Sequence, residues 1–111
     1  MKMITAIVQP FMLDKITDAF EGMENFPGMT VVEARGFGRK LSFQEQRTLH
    51  HDPFHPKARI EIVAPNEMVE SIVSTLVAHA HTGNHGDGKV FVWHVETAVR
   101  VQTGERDEAA L

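Results

Sequence analysis

Two stretches spaced for an amphipathic helix each lie between stretches spaced for strands, and that order constrains the fold more than any other feature. The clearer helix covers residues 69–80, where Val69, Ile72, Val73, Leu76, Val77 and Ala80 follow i, i+3, i+4, i+7 spacing and line one face. Asn66 reads as its N-cap, Glu67 and Glu70 suit its positive end, and Gly83 reads as its stop. Before it, Ala58–Val63 alternates, with Ile60 and Ile62 apolar against Arg59 and Glu61. After it, Val90–Val95 is the last main strand. The same pattern occurs earlier. Lys2–Gln9 places Ile4, Ala6 and Val8 on one face and Met3, Thr5 and Ile7 on the other, and Pro10 closes it. Ile16, Ala19, Phe20 and Met23 then recur at helical spacing, with Asp14 in the first turn. A turn at Asn25-Phe26-Pro27-Gly28 leads to the strand Met29–Arg35, rich in β-branched residues. Ala98–Gln102 is a candidate for a short extra strand.

Strand, helix, strand, long loop, strand, helix, strand is a doubled βαβ unit, the ferredoxin-like plan of an α+β domain spanning 1–111. Its helices cover one face of the sheet. The other face keeps apolar side chains such as Ile7, Val32 and Phe91, so self-association is the economical way to cover it, as a dimer or a trimer. At 111 residues there is room for one modest core. With no cysteine there is neither a disulfide framework nor a thiolate metal site. No run is long enough for a membrane span, and the N-terminus lacks the zones of a signal peptide, so a cytoplasmic protein without membrane insertion is expected. A formal charge of −4 argues against nonspecific nucleic-acid binding, which needs a basic face. Any anion site must be local.

One such site is written at the junction of the second helix and the last strand. Thr82-Gly83-Asn84-His85-Gly86-Asp87-Gly88-Lys89 combines three glycines, an acid and a lysine. Glycines let backbone N–H groups turn toward a ligand, and Lys89 adds a point charge, an arrangement suited to phosphate. Glycine-rich turns also simply join elements, so the segment gains weight from a second one, Gly36-Phe37-Gly38-Arg39-Lys40, with two more glycines and two cations. The latter opens a loop, Gly36–Pro56, which is polar, weakly periodic and long enough to suggest function. Its apolar residues Leu41, Phe43, Leu49 and Phe54 are few.

These residues resemble the PII signal-transduction family of small trimeric nitrogen regulators. The resemblance runs from Lys2 to Leu111 and is weakest between Leu41 and His55. It is anchored by Gln9-Pro10-Phe11-Met12-Leu13-Asp14, Gly28-Met29-Thr30-Val31, Gly36-Phe37-Gly38-Arg39 and Pro56-Lys57-Ala58-Arg59-Ile60-Glu61. The glycine-rich segment and Arg100-Val101-Gln102-Thr103-Gly104-Glu105 complete the set. It implies a ferredoxin-like homotrimer that binds ATP or ADP between subunits and controls a partner protein through its long loop, about 37–56, without catalysis of its own. Gly86, Asp87, Gly88 and Lys89 would hold phosphates, helped by Gly36, Phe37, Gly38 and Arg39 and by Arg100 from the C-terminal loop, about 100–111. Lys40 and Lys57 would face an effector. The phrase from Asn25 to Val31 and the ending from Gly104 to Leu111 look most like a side branch encoded beside heavy-metal efflux pumps. A membrane transporter, such a pump or an enzyme is therefore the expected partner.

The departures shape the expectations. Where the family has a second arginine near the C-terminus this chain has Gln102, and the usual lysine at the end of the first strand is Gln9. Losing one charge-assisted contact to phosphate costs about 1.5–3 kcal/mol. The usual glutamine after Arg39 is Lys40, which has donors only and cannot ligate a metal that holds 2-oxoglutarate. With no tyrosine, uridylylation of the loop is excluded.

Seven histidines raise a rival reading. His50, His51 and His55, with Asp52 among them, could offer three nitrogen ligands to zinc, nickel or copper and make the chain a metal sensor with weak or lost nucleotide binding. The alternative is a solvated polar loop. His79 and His81 fit the negative end of a helix, His85 lies in the glycine-rich segment, and His94 reads as packed beside Trp93. No nucleophile with an assigned base emerges, and Asp87 reads as orienting its loop rather than as an acid or base. Met3, Met12, Met23, Met29 and Met68 fit core packing.

Overall fold

The computed structural model describes residues 1–38 and 52–111. Four strands, β1 (Lys2–Val8), β2 (Thr30–Gly36), β3 (His55–Ala64) and β4 (Gly88–His94), form one sheet in the order β2-β3-β1-β4, antiparallel at every pairing. Two helices, α1 (Leu13–Glu21) and α2 (Val69–Ala80), cross between them, giving the expected ferredoxin-like α+β plan. Ile4, Ala6 and Val8 are buried, as are Ile60 and Ile62 beside them, and Ile16, Phe20, Ile72 and Leu76 meet them from the helices. Phe26 stacks on Phe20 with ring centroids 4.4 Å apart and closes the end of α1. The stripe read for α2 holds: Val69, Ile72, Leu76 and Ala80 are buried, whereas Val77 at its margin stays exposed. Leu76 is fully enclosed. Leu76→Ala should therefore cost about 3 kcal/mol, as large-to-small core changes do, read as a lower urea midpoint.

The opposite sheet face is open. In register across it stand Met3, Thr5 and Ile7 of β1, Trp93, Phe91 and Lys89 of β4, and Val63, Glu61 and Arg59 of β3. Phe91 and Trp93 are each about half exposed, and Val32 of β2 joins them. Thr5 in the middle is only 7% exposed, and its Oγ1 finds no hydrogen-bond partner among the described residues. No helix among the described residues is long and apolar enough to cross a membrane.

Several boundaries differ from the reading of the sequence. β3 starts at His55 rather than Ala58, because the β2–β3 ladder continues past the end of β1 to Arg35↔Pro56 and Gly36↔His55. Pro56 is tolerated there because β1 stops at Val8↔Ala58, so no ladder on that side needs its missing N–H. β2 and β4 likewise begin or end within two residues of the expected limits. Asn66 caps nothing with its side chain: a 3-10 turn, Asn66–Met68, leads into α2, closed by Met68 N–H donating to the Pro65 carbonyl at 3.0 Å. α2 stops with extended His81, ahead of Gly83. The extra strand reduces to one bridge, Val99↔Arg106. His94 is exposed rather than packed.

Candidate functional site

The open end of the β2–β3 hairpin and the loop before β4 enclose a hollow of about 650 Å3, lined by Gly36, Phe37, Gly38, Lys57, Gly86, Gly88 and Lys89, with Ile7, Gln9, His55, His85 and Phe91 completing its wall. Antiparallel register is what gathers them. Ile7 faces Lys89 on one side, and Gly36 pairs with His55 two residues along from Ala34↔Lys57, on the same face. Both segments singled out for anion binding thus reach one place, although Arg39 and Lys40 lie outside the described residues, as do His50 and His51.

The glycines are there because backbones meet. Gly88 has φ +107, and a Cβ on it would lie 1.6 Å from the Ile7 carbonyl oxygen. Gly86 has φ +88, and a Cβ there would crowd Gln9 Nε2 at 3.0 Å and Lys57 Nζ at 3.2 Å. Lys57 Nζ donates to the Gly86 carbonyl at 2.7 Å, so this lysine braces the loop and keeps two donors for an anion in the hollow.

Asp87 is not among the residues lining the hollow. It accepts from Thr82 N–H at 2.8 Å, from the Thr82 hydroxyl, and from Gly83 N–H at 2.9 Å, with His81 Nδ1 3.6 Å away. The loop-orienting role read from the sequence fits this geometry. The Thr82 hydroxyl and N–H, then the Gly83 N–H and the His81 charge, hold its carboxyl below the ordinary 3.8 against a partial burial that works the other way. A lowered pKa means the contribution is complete above the ordinary value and fades as pH falls through the lowered one. The protection of the Thr82 and Gly83 amides, taken relative to the unprotected exchange rate at each pH, should therefore hold from neutral pH to about pH 4 and fall only below the ordinary value. Protection lost already between about pH 7 and 5 would mean that the Asp87 carboxylate is not the group that pins the loop.

Phe37 leans on Phe54 across the open end of the hairpin, centroids 5.7 Å apart, and the Arg35 guanidinium lies 5.5 Å over the Phe54 ring. These contacts hold the two arms of the long loop together where it leaves the sheet.

Arg100 is elsewhere. It lines a second hollow, of about 560 Å3, with Met3, Gly28, Met29, Thr30, Glu61 and Val63. Met3 and Ile7 mark the two hollows on one strand, four residues or about 13 Å apart at strand rise. Sequence reasoning joined Arg100 to the glycine loop, and within one chain the fold does not. Gln9, noted in the sequence for the cation it replaces, stands in the hollow, and Ile7 and Phe91 could have been added by asking which positions share the outward face with Lys57 and Lys89. Thr30, Glu61 and Val63 needed the register itself.

For the metal reading, His55 alone of its three histidines is described, and it stands in the first hollow at the start of β3. Among the described residues no three His, Asp or Glu side chains converge as metal ligands. His79 Nδ1 sits 2.8 Å from the Thr75 carbonyl one turn back, and His81 is exposed.

A doubled βαβ sheet with a glycine-and-lysine hollow at the open end of its β2–β3 hairpin defines a small ferredoxin-like α+β protein. The chain belongs to the family described as Nitrogen regulatory protein P-II, which it matches over residues 1–105. Its relatives include the nitrogen regulatory protein P-II of Haemophilus influenzae, 40% identical over the full length of both chains. Nitrogen regulatory protein P-II 1 of Escherichia coli and nitrogen regulatory protein P-II of Klebsiella oxytoca are each 42% identical, again over both full lengths.

Proposed function

We propose that this chain is a cytoplasmic, homotrimeric regulator that binds ATP or ADP between subunits and passes its nucleotide state to a partner protein, a membrane transporter or an enzyme, through the long loop. One observation carries the reading: the cations are divided between two hollows at opposite ends of one open sheet face. A second copy laid against that face can bring its Arg100 to the Gly86–Lys89 loop of the first, making one polyanion site from two incomplete ones. The same contact would cover Phe91, Trp93 and Val32 and could satisfy the Thr5 hydroxyl, whose orphaned burial otherwise costs about 1–3 kcal/mol. Phosphate oxygens suit the two lysines and the backbone donors of the glycine loop. Because Phe37 belongs both to the hollow and to the clasp with Phe54, a bound ligand touches the stem of the long loop directly.

Calorimetry with ATP and ADP, together with sedimentation, tests the whole. The expected result is a trimer that binds one adenine nucleotide per subunit, with weaker triphosphate binding or a smaller preference for ATP over ADP than in relatives that carry cations in place of Gln9 and Gln102. A monomer at micromolar concentration would end the proposal.

The effector is expected not to be 2-oxoglutarate, since Lys40 offers only donors where a metal-bound oxoacid needs an acceptor. Tight binding of 2-oxoglutarate that depends on magnesium and ATP would show otherwise. The rival metal sensor is separated by replacing His50, His51 and His55 together with alanine. Loss of zinc or nickel binding would favour it, and unchanged binding would make them solvated loop residues.

A further inference from the structure

Beyond Arg100 the chain turns back on itself. Residues 98–107 form a small hairpin: Asp107 N–H donates to the Ala98 carbonyl at 2.7 Å, Ala98 N–H to Asp107 Oδ1 at 3.3 Å, and Arg100 N–H to the Glu105 carbonyl at 2.9 Å. Asp107 adopts φ +55, a left-handed conformation that a residue with a Cβ holds only when its surroundings impose it. That bend starts a 3-10 turn, Asp107–Ala110, and delivers Ala110 and Leu111 into the wall of the second hollow, where both are half-buried. There Arg100 Nη2 donates to the Leu111 carbonyl at 3.2 Å. The guanidinium that the nucleotide reading assigns to phosphate is thus engaged by the segment that follows it.

We propose that Asp107–Leu111 is an internal strap that competes with anionic ligands for Arg100 and must leave the hollow for nucleotide to bind fully, an inference that rests on the nucleotide reading above. The competition favours the ligand only when it carries charge. The Leu111 oxygen engages one arm of the fork through a single contact at 3.2 Å, whereas a phosphate takes two N–H groups in a charge-assisted pair, and adenosine brings no anion to compete. The strap therefore sets a threshold: polyanions displace it and uncharged adenosine does not. Asp107 is its hinge, since it makes the left-handed bend and its carboxylate accepts from Ala98 N–H.

The experiment is calorimetry with ATP and with adenosine on the intact chain, on a variant lacking Glu108–Leu111, and on Asp107→Ala, which keeps the strap at full length but loses the side-chain contact to Ala98 N–H that pins its bend. Both variants leave the four strands and two helices whole. The intact chain binds as if only a fraction of it were competent, so release should raise ATP affinity by roughly three- to tenfold and leave adenosine unchanged. A rise for ATP alone in either variant supports the strap. No rise in either, or an equal rise for adenosine, overturns it while the nucleotide reading stands on the binding by the intact chain. If none of the three proteins binds ATP, the nucleotide reading falls and the strap with it.

Discussion

Gly88→Ala is expected to pull β4 away from the sheet and destabilise the protein by more than about 4 kcal/mol, the range reserved for a few drastic mechanisms. Two costs combine. At φ +107 any residue with a Cβ is strained, an effect worth about 1–2 kcal/mol. Overlap costs more: the new methyl would sit 1.6 Å from the Ile7 carbonyl oxygen and the carbonyl carbon would be only 2.7 Å away. Neither is the free end of a side chain, so β1 and β4 must separate at their Val8↔Gly88 pairing. Gly104→Ala supplies the comparison. It too has a positive φ, +75, but nothing lies within 4 Å of its Cβ, so only the backbone strain remains, about 1 kcal/mol. Urea melts of the two variants check the contrast, and equal losses would mean that backbone contact at Gly88 is relieved cheaply.

That contrast also marks how far the sequence could be read. Periodicity reports what a residue buries, and where burial decides, the reading holds: Ile4, Ala6 and Val8 point at Ile72 and Leu76 as their spacing requires. Glycine content drew attention to the loop before β4 but could not say that Gly88 is demanded by the close approach of β1 beside it. That needs a partner far earlier in the chain, Ile7. Pro56 looked like the end of a loop because a proline removes a donor, and only the staggered ends of β1 and β3 make its missing N–H harmless. Asn66 has the chemistry of a cap, yet Pro65 and a 3-10 turn take over the entry to α2. The division of the candidate site was the least legible part. Nothing near Arg100 in the sequence says that a left-handed Asp107 folds its hairpin toward Met3 and Val63 instead of toward Lys89.

The second large effect follows from that division. Lys89→Ala should weaken ATP binding by about 10- to 100-fold, because a charge-assisted contact to phosphate is worth about 1.5–3 kcal/mol and each 1.4 kcal/mol is tenfold. Arg100→Ala should do the same, by the same arithmetic, although its residue lines the other hollow. If each site joins the Lys89 of one copy to the Arg100 of the next, the two defects are complementary. In a ring of three head-to-tail contacts, unfolding and reassembling the two variants together in equal amounts leaves roughly one contact in four with both residues intact. Such a mixture should regain tight binding at about a quarter of its sites, visible as a high-affinity phase that neither variant has alone. Contacts within one chain cannot produce this, since every chain in the mixture lacks one of the two residues. A mixture that binds no better than its components, while sedimenting as mixed trimers, would place Arg100 outside the nucleotide site and leave Lys57, Lys89 and the glycine loop to hold the phosphates within a single subunit.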